Sequence, residues 1–295
     1  TALILLSACR QNTVVEPADF VFSTDNIDGD ESYYSKPVVI TGNIDNHDVY
    51  PNVTDISITV PFYDRVDNKQ RSVICNDKFG FSVLPYAPRT VSMLPYIDHI
   101  VLCPGDSIHI ELDFADLGNV TFSGSGAENN VKMNQFHTHY YLNHDWPGHS
   151  NHVVGADGGH VRKYKNAECL TDALKEKLDY HMSRLEAFIK EKHPSNELKA
   201  LCRKEILADY YSRLIQGLLW FKSDGEYVSS HFKVKEAERL FSPDCMPANL
   251  FNLSSDISYW LLNEMDPEKA TLLMDDNAML MRFLRKSTKS KMLLQ

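Results

Sequence analysis

The hydrophobic period of the chain changes once, near Gly124-Ser125-Gly126, and that change constrains the fold more than any other feature of the sequence. Before it, short β-type runs follow one another, and in Asp55–Val60 and Ser107–Leu112 the apolar residues fall at every second position. Val38-Val39-Ile40-Thr41-Gly42, Asp55–Val60, Ser72–Cys75, Phe79–Val83, Thr90–Leu94, His99–Cys103, Ser107–Leu112 and Asn119–Ser123 all suit strands. Ile108, Ile110 and Leu112 alternate with His109 and Glu111, as in a strand with one buried and one wet face. Pro104-Gly105-Asp106 combines a fixed φ, a permissive residue and a side-chain acceptor, which is turn chemistry. Seven or eight short strands at this spacing predict an antiparallel β-sandwich over residues 37–126.

After the glycine-rich turn the period lengthens to three and four. A loosely helical stretch runs from Ala127 to about Leu142. A long polar segment, 143–168, follows it. Thr171 is placed to cap a helix reaching Lys192, with Leu174, Leu178, Met182, Leu185 and Ile189 on one face. Pro194-Ser195 ends that helix and starts another over about 196–222, carrying Leu198, Leu201, Ile206, Tyr210, Leu214 and Leu218. So short a connection predicts an antiparallel helical hairpin. Further helices are expected over 229–241, 255–265 and 267–287. The predicted class is α+β, a sandwich followed by an all-helical domain over 127–295.

The 295 residues include 43% hydrophobic and 24% charged side chains, a globular composition. Residues 1–126 hold 17 Asp/Glu against 7 Lys/Arg, so the whole formal charge of −10 falls there. Such an acidic face disfavours nucleic acid, whose phosphates need clustered cations.

The first residues read as a processing signal. Ala2-Leu3-Ile4-Leu5-Leu6 is apolar but far shorter than the roughly 20 residues of a spanning helix. Small residues, Ser7-Ala8, then precede Cys9. Leu6-Ser7-Ala8-Cys9 resembles the lipobox of bacterial lipoproteins, which implies residues 1–9 as a signal remnant, a basic region upstream of Thr1, and acylation of Cys9. Several acyl chains at about 0.8 kcal/mol per buried CH₂ suffice for stable attachment to a bilayer. Residues 10–36, polar and acidic, suit a flexible stalk. The expected location is the cell envelope, on the periplasmic or cell-surface side of the outer membrane.

Val39-Ile40-Thr41-Gly42, the Pro104-Gly105-Asp106-Ser107-Ile108-His109-Ile110 turn and strand, Phe122-Ser123-Gly124 and the entry through Asn129-Asn130 add to the lipobox. Together these are similar to a Bacteroidetes lipoprotein family over roughly residues 37–220. In that family a β-domain and helices precede a thioredoxin-like domain of the TlpA type. The resemblance implies a non-enzymatic binding or scaffold module partnered with a thioredoxin-like domain or another envelope protein. It also leaves open that the chain is the front of a longer disulfide reductase. No Cys-x-x-Cys occurs here, so no catalytic residue is assigned.

Two constellations remain. Six of twelve histidines fall between His137 and His160. His149-x-x-His152, with His144 and Asp157 nearby, could pinch a metal such as zinc. The plainer reading is a solvated loop, with no cofactor. His137 and His139 point apart on a helix. Phe136, Tyr140-Tyr141 and Trp146 read as a seam between domains rather than a binding face. Cys75 and Cys103, both at predicted strand ends, are candidates for a disulfide, although most of the cysteines read more simply as small buried residues.

Overall fold

Alternation in the sequence becomes alternation of burial. The computed structural model describes residues 36–60, 69–85, 87–142, 146–147, 164–221, 240, 245–250, 252–253 and 256–257. In β1 (Val38–Asp45), Val38, Ile40, Gly42 and Ile44 are buried while Val39, Thr41 and Asp45 are exposed. The chain divides into two compact units, one of residues up to Val60 and Lys69–Val131, the other built from Lys132 onward.

The first unit adds β2 (Asp55–Thr59), β3 (Lys69–Val73), β4 (Lys78–Val83), β5 (Arg89–Met93), β6 (Ile97–Leu102), β7 (Ser107–Asp113) and β8 (Val120–Ser123). They form two four-stranded sheets, ordered β4-β1-β7-β8 and β3-β2-β5-β6. Ile40, Ile108 and Ile110 from one sheet and Ile56, Ile58, Val91 and Ile100 from the other are fully buried. An α+β protein with an N-terminal sheet unit followed by helices is therefore what the chain forms.

One pairing departs from the all-antiparallel expectation. β1 and β7 run parallel, with Ile40 opposite Ile108 and Gly42 opposite Ile110. The chain of β2–β6 separates them, far more than the dozen or so residues a parallel crossover needs. At Gly42 an added Cβ would lie 2.1 Å from Phe79 Cζ, so glycine lets that ring lie across the strand. The Pro104 turn closes as its residues suggest: Gly105 has φ +86°, and the Asp106 amide donates to the Cys103 carbonyl at 3.0 Å.

A helix, α1 (Ala127–Gln135), follows the sandwich, and the division between units falls inside it rather than at Gly126. Its first turns hold Asn130, which is fully buried. The Asn130 amide accepts from the Val101 N–H at 2.9 Å and donates to the Val101 carbonyl at 3.0 Å and the Gly126 carbonyl at 2.9 Å. One side chain thus completes the outer edge of β6, where a further strand would otherwise be needed.

In the second unit α1 runs into a single π-helical turn, Phe136–Tyr140, then α2 (Ala167–Lys192) and α3 (Asn196–Trp220). α2 begins four residues before Thr171. Its cap is Asn166, whose side chain accepts from the Cys169 amide at 2.9 Å. Thr171 is instead buried inside the helix and donates back to the Glu168 carbonyl at 2.9 Å. His193, at φ +48°, ends α2 before Pro194. Ser195 caps α3 as the sequence suggests, accepting from the Leu198 amide at 3.1 Å. The short link packs α2 against α3. The helices expected over 229–241, 255–265 and 267–287 lie almost wholly outside the described residues.

Candidate functional site

α3 is buried along much of its length yet carries polar residues at Glu205, Asp209, Ser212 and Gln216. Spacings of four, three and four place them on one face. A helix buried this deeply leaves little water for such a stripe, and its members pair with protein groups.

The π-turn supplies the partners at the first two positions. Its wider loop closes with the Tyr141 amide donating to the Phe136 carbonyl at 2.8 Å, a geometry often found at functional sites. His137 Nε2 lies 3.3 Å from Glu205 Oε1, and the Tyr141 hydroxyl donates to Asp209 Oδ2. Trp146 Nε1 donates to the Tyr141 hydroxyl at 3.1 Å. From the far side, Asn249 Nδ2 donates to Asp209 Oδ1 at 3.0 Å and to the Glu205 carbonyl at 2.8 Å. Asp256 closes the other end, accepting from Ser212 and, at 3.0 Å, from Gln216.

Aromatic rings wall the network. Phe136 stacks on Tyr141 with centroids 5.3 Å apart and tilts against Phe188 of α2 at 5.2 Å. The buried His181 ring meets Tyr141 at 4.9 Å and Trp146 at 4.8 Å. Phe136, Tyr140, Tyr141 and Trp146, expected at a seam between domains, thus pack inside the helical unit on α2 and α3. On α3 it is Tyr211 rather than Tyr210 that is buried.

This enclosure shifts the acids. Asp209 keeps some surface as a residue, but burial of its carboxyl, with the Glu205 charge adding, pushes its pKa up to about 6. Hydrogen bonds from Tyr141 and Asn249 hold it from rising further. Burial first, then the Asp209 and Glu205 charges, hold the Tyr141 phenol well above its usual range. Tyr141 is therefore a fixed donor, and Asp209 exchanges its proton near neutrality.

His137 and Glu205 are ligand-type side chains of a group that could hold a metal ion. Their 3.3 Å separation is long for a hydrogen bond. It is close to the roughly 3.3 Å that two ligands subtend at a tetrahedral zinc with bonds of about 2.0–2.1 Å. His139, on the same turn, is exposed, so the two histidines do point apart.

Cys9, His144, His149, His152 and Asp157 lie outside the described residues. Cys75 and Cys103 are not joined: each keeps its thiol, Cys75 exposed and Cys103 buried. Their turns bond to opposite ends of β1, through Asp77 to Ile44 and through Asp106 to Val39. That is about 16 Å along a strand, against under about 7 Å between the Cα atoms of a disulfide. Glu205, Asp209 and Asn249 were not singled out from the sequence, although two acids one turn apart on the face of α3 that carries Leu198, Leu201 and Cys202 were a usable signal. No protein-family model, curated protein or solved structure matches the chain.

Proposed function

We propose that this protein is an envelope lipoprotein, acylated at Cys9, whose sandwich and helical units serve as a non-catalytic binding or scaffold module beside thioredoxin-like proteins. The observation that carries the reading is Leu6-Ser7-Ala8-Cys9 behind an apolar run. The Pro104-Gly105-Asp106-Ser107 turn supports the partner assignment. In cells, the native protein is expected in the membrane fraction with acyl mass on Cys9, and Cys9→Ser in the soluble fraction. A native protein without acyl mass that stays soluble overturns the anchor. An intact mass larger by a further domain instead favours the front of a longer disulfide reductase.

A second reading, divalent metal binding, is favoured by the His137–Glu205 separation. Zinc titration followed by calorimetry is expected to show one site, weakened in His137→Ala. Equal binding by that variant, with loss in His149→Ala/His152→Ala, moves the site to the His-rich segment.

A further inference from the structure

Two sulfur side chains meet inside the helical unit, and a third cysteine lies on a segment bonded to the same helix. Met133, near the end of α1, and Cys202, in the second turn of α3, are fully buried, and Cys202 Sγ lies 3.9 Å from Met133 Sδ. Cys245 is buried as well. Its carbonyl accepts from the buried Lys204 Nζ at 3.0 Å, and Asn249 donates to the Glu205 carbonyl, so the 245–249 segment is bonded to α3 in the turn that follows Cys202. Burial first, then the Glu205 charge and, least, Cys245, hold the Cys202 thiol well above its usual range.

Buried cysteines and methionines often act only as small or adaptable apolar residues. Two features go beyond filling. The donors are all soft, and thiolate with thioether is the ligand set that selects Cu(I) over harder ions. The Cys202–Met133 distance of 3.9 Å also fits: metal–sulfur bonds of about 2.3 Å in a trigonal plane put neighbouring sulfurs about 4 Å apart.

We propose that Met133, Cys202 and Cys245 form a buried site for a soft monovalent metal ion, Cu(I). Both thiols release their protons to solvent as two thiolate–copper bonds form, and the Met133 thioether completes the set. Copper stays Cu(I) throughout, and no electron is transferred. The bound site carries one net negative charge, which the Lys204 ammonium beside Cys245 is placed to offset; Glu205 opposes it. The site does not depend on membrane anchoring or on metal at His137.

The test uses the full chain with Cys9→Ser to remove the acylation residue, and with Cys75→Ser and Cys169→Ser so that these two exposed thiols are silent. Reduced anaerobically, it is titrated with Cu(I) against bicinchoninate. One tightly held equivalent is expected, with a sulfur-only shell by X-ray absorption. Adding Cys202→Ala should weaken binding by more than the roughly 10–100-fold that loss of a merely supporting residue costs. Met133→Leu, nearly isosteric, should weaken it less. Unchanged binding in a folded Cys202→Ala variant overturns the site, as does a shell dominated by nitrogen or oxygen. The shell is read on the parent chain, so the test stands even where Cys202→Ala fails to fold. An oxidised chain about 2 Da lighter that has lost these two thiols and binds no copper after reduction assigns the pair to a disulfide instead.

Discussion

Ile40, Ile58 and Ile110 in the sandwich and Phe136, Leu185 and Leu201 in the helical unit are all fully buried, yet what lies beside them differs. In the sandwich, exposed or part-buried polar pairs include His47 between Asp77 and the Val53 carbonyl, and Asn46 donating to Asp113. In the helical unit a phenol, an imidazole and two carboxylates stand within the core. Among the described residues the sandwich buries Arg89, Thr90 and Asn130 but no carboxylate, whereas the helical unit encloses the Glu205 and Asp209 carboxyls, where interactions are stronger and an unpaired group is more costly. A site able to bind or to exchange protons is therefore to be sought in the helices.

The strongest way to break this comparison is Phe136→Ala. It opens a cavity and removes the ring stacked on Tyr141, for an expected loss of about 3–5 kcal/mol in urea unfolding. In the sandwich, Ile110→Val should cost only about 0.5–1.5 kcal/mol. Equal effects would mean that the aromatic wall is ordinary packing.

Next is the interior polar residue of the sandwich that edges β6. Asn130→Ala strands the Val101 N–H and C=O, and about 2–3 kcal/mol should be lost. A thermal midpoint unchanged from the native protein would show that water replaces the amide without penalty.

The smallest effect sharpens the helical side. The Asp209 pKa is raised in the fold to about 6 from an ordinary 3.8, so the folded chain holds the extra proton between those values. Its contribution is fully present below about pH 4 and is lost as pH rises through about 6. The shift allows at most about 3 kcal/mol, and about 1–2 after its partial exposure is allowed for. Asp209→Asn should flatten this slope in unfolding free energies measured from pH 4 to 7. A variant retaining the native slope would place the titrating group elsewhere.

Much of the framework was legible because it depends on neighbours in the chain. Ile108-His109-Ile110-Glu111-Leu112 shows which face is buried, since side chains alternate along any strand. Ser195 after Pro194 announces the start of α3 for an equally local reason. Thr171 misled because Asn166, at the end of a polar stretch with no period of its own, has the same capping chemistry five residues earlier.

What lay beyond the sequence alone is pairing over distance. By itself it determined two periods, the turn at Gly105, the α2–α3 break and the charge imbalance. Only the tertiary structure decided that β1 runs parallel to β7, that Asn130 edges β6, and that His137 meets Glu205 across 68 residues of chain. The spacing of residues along a helix or strand says which face they share. It carries no information about which other face will close over them, and a buried acid finds its partners only when that closure occurs.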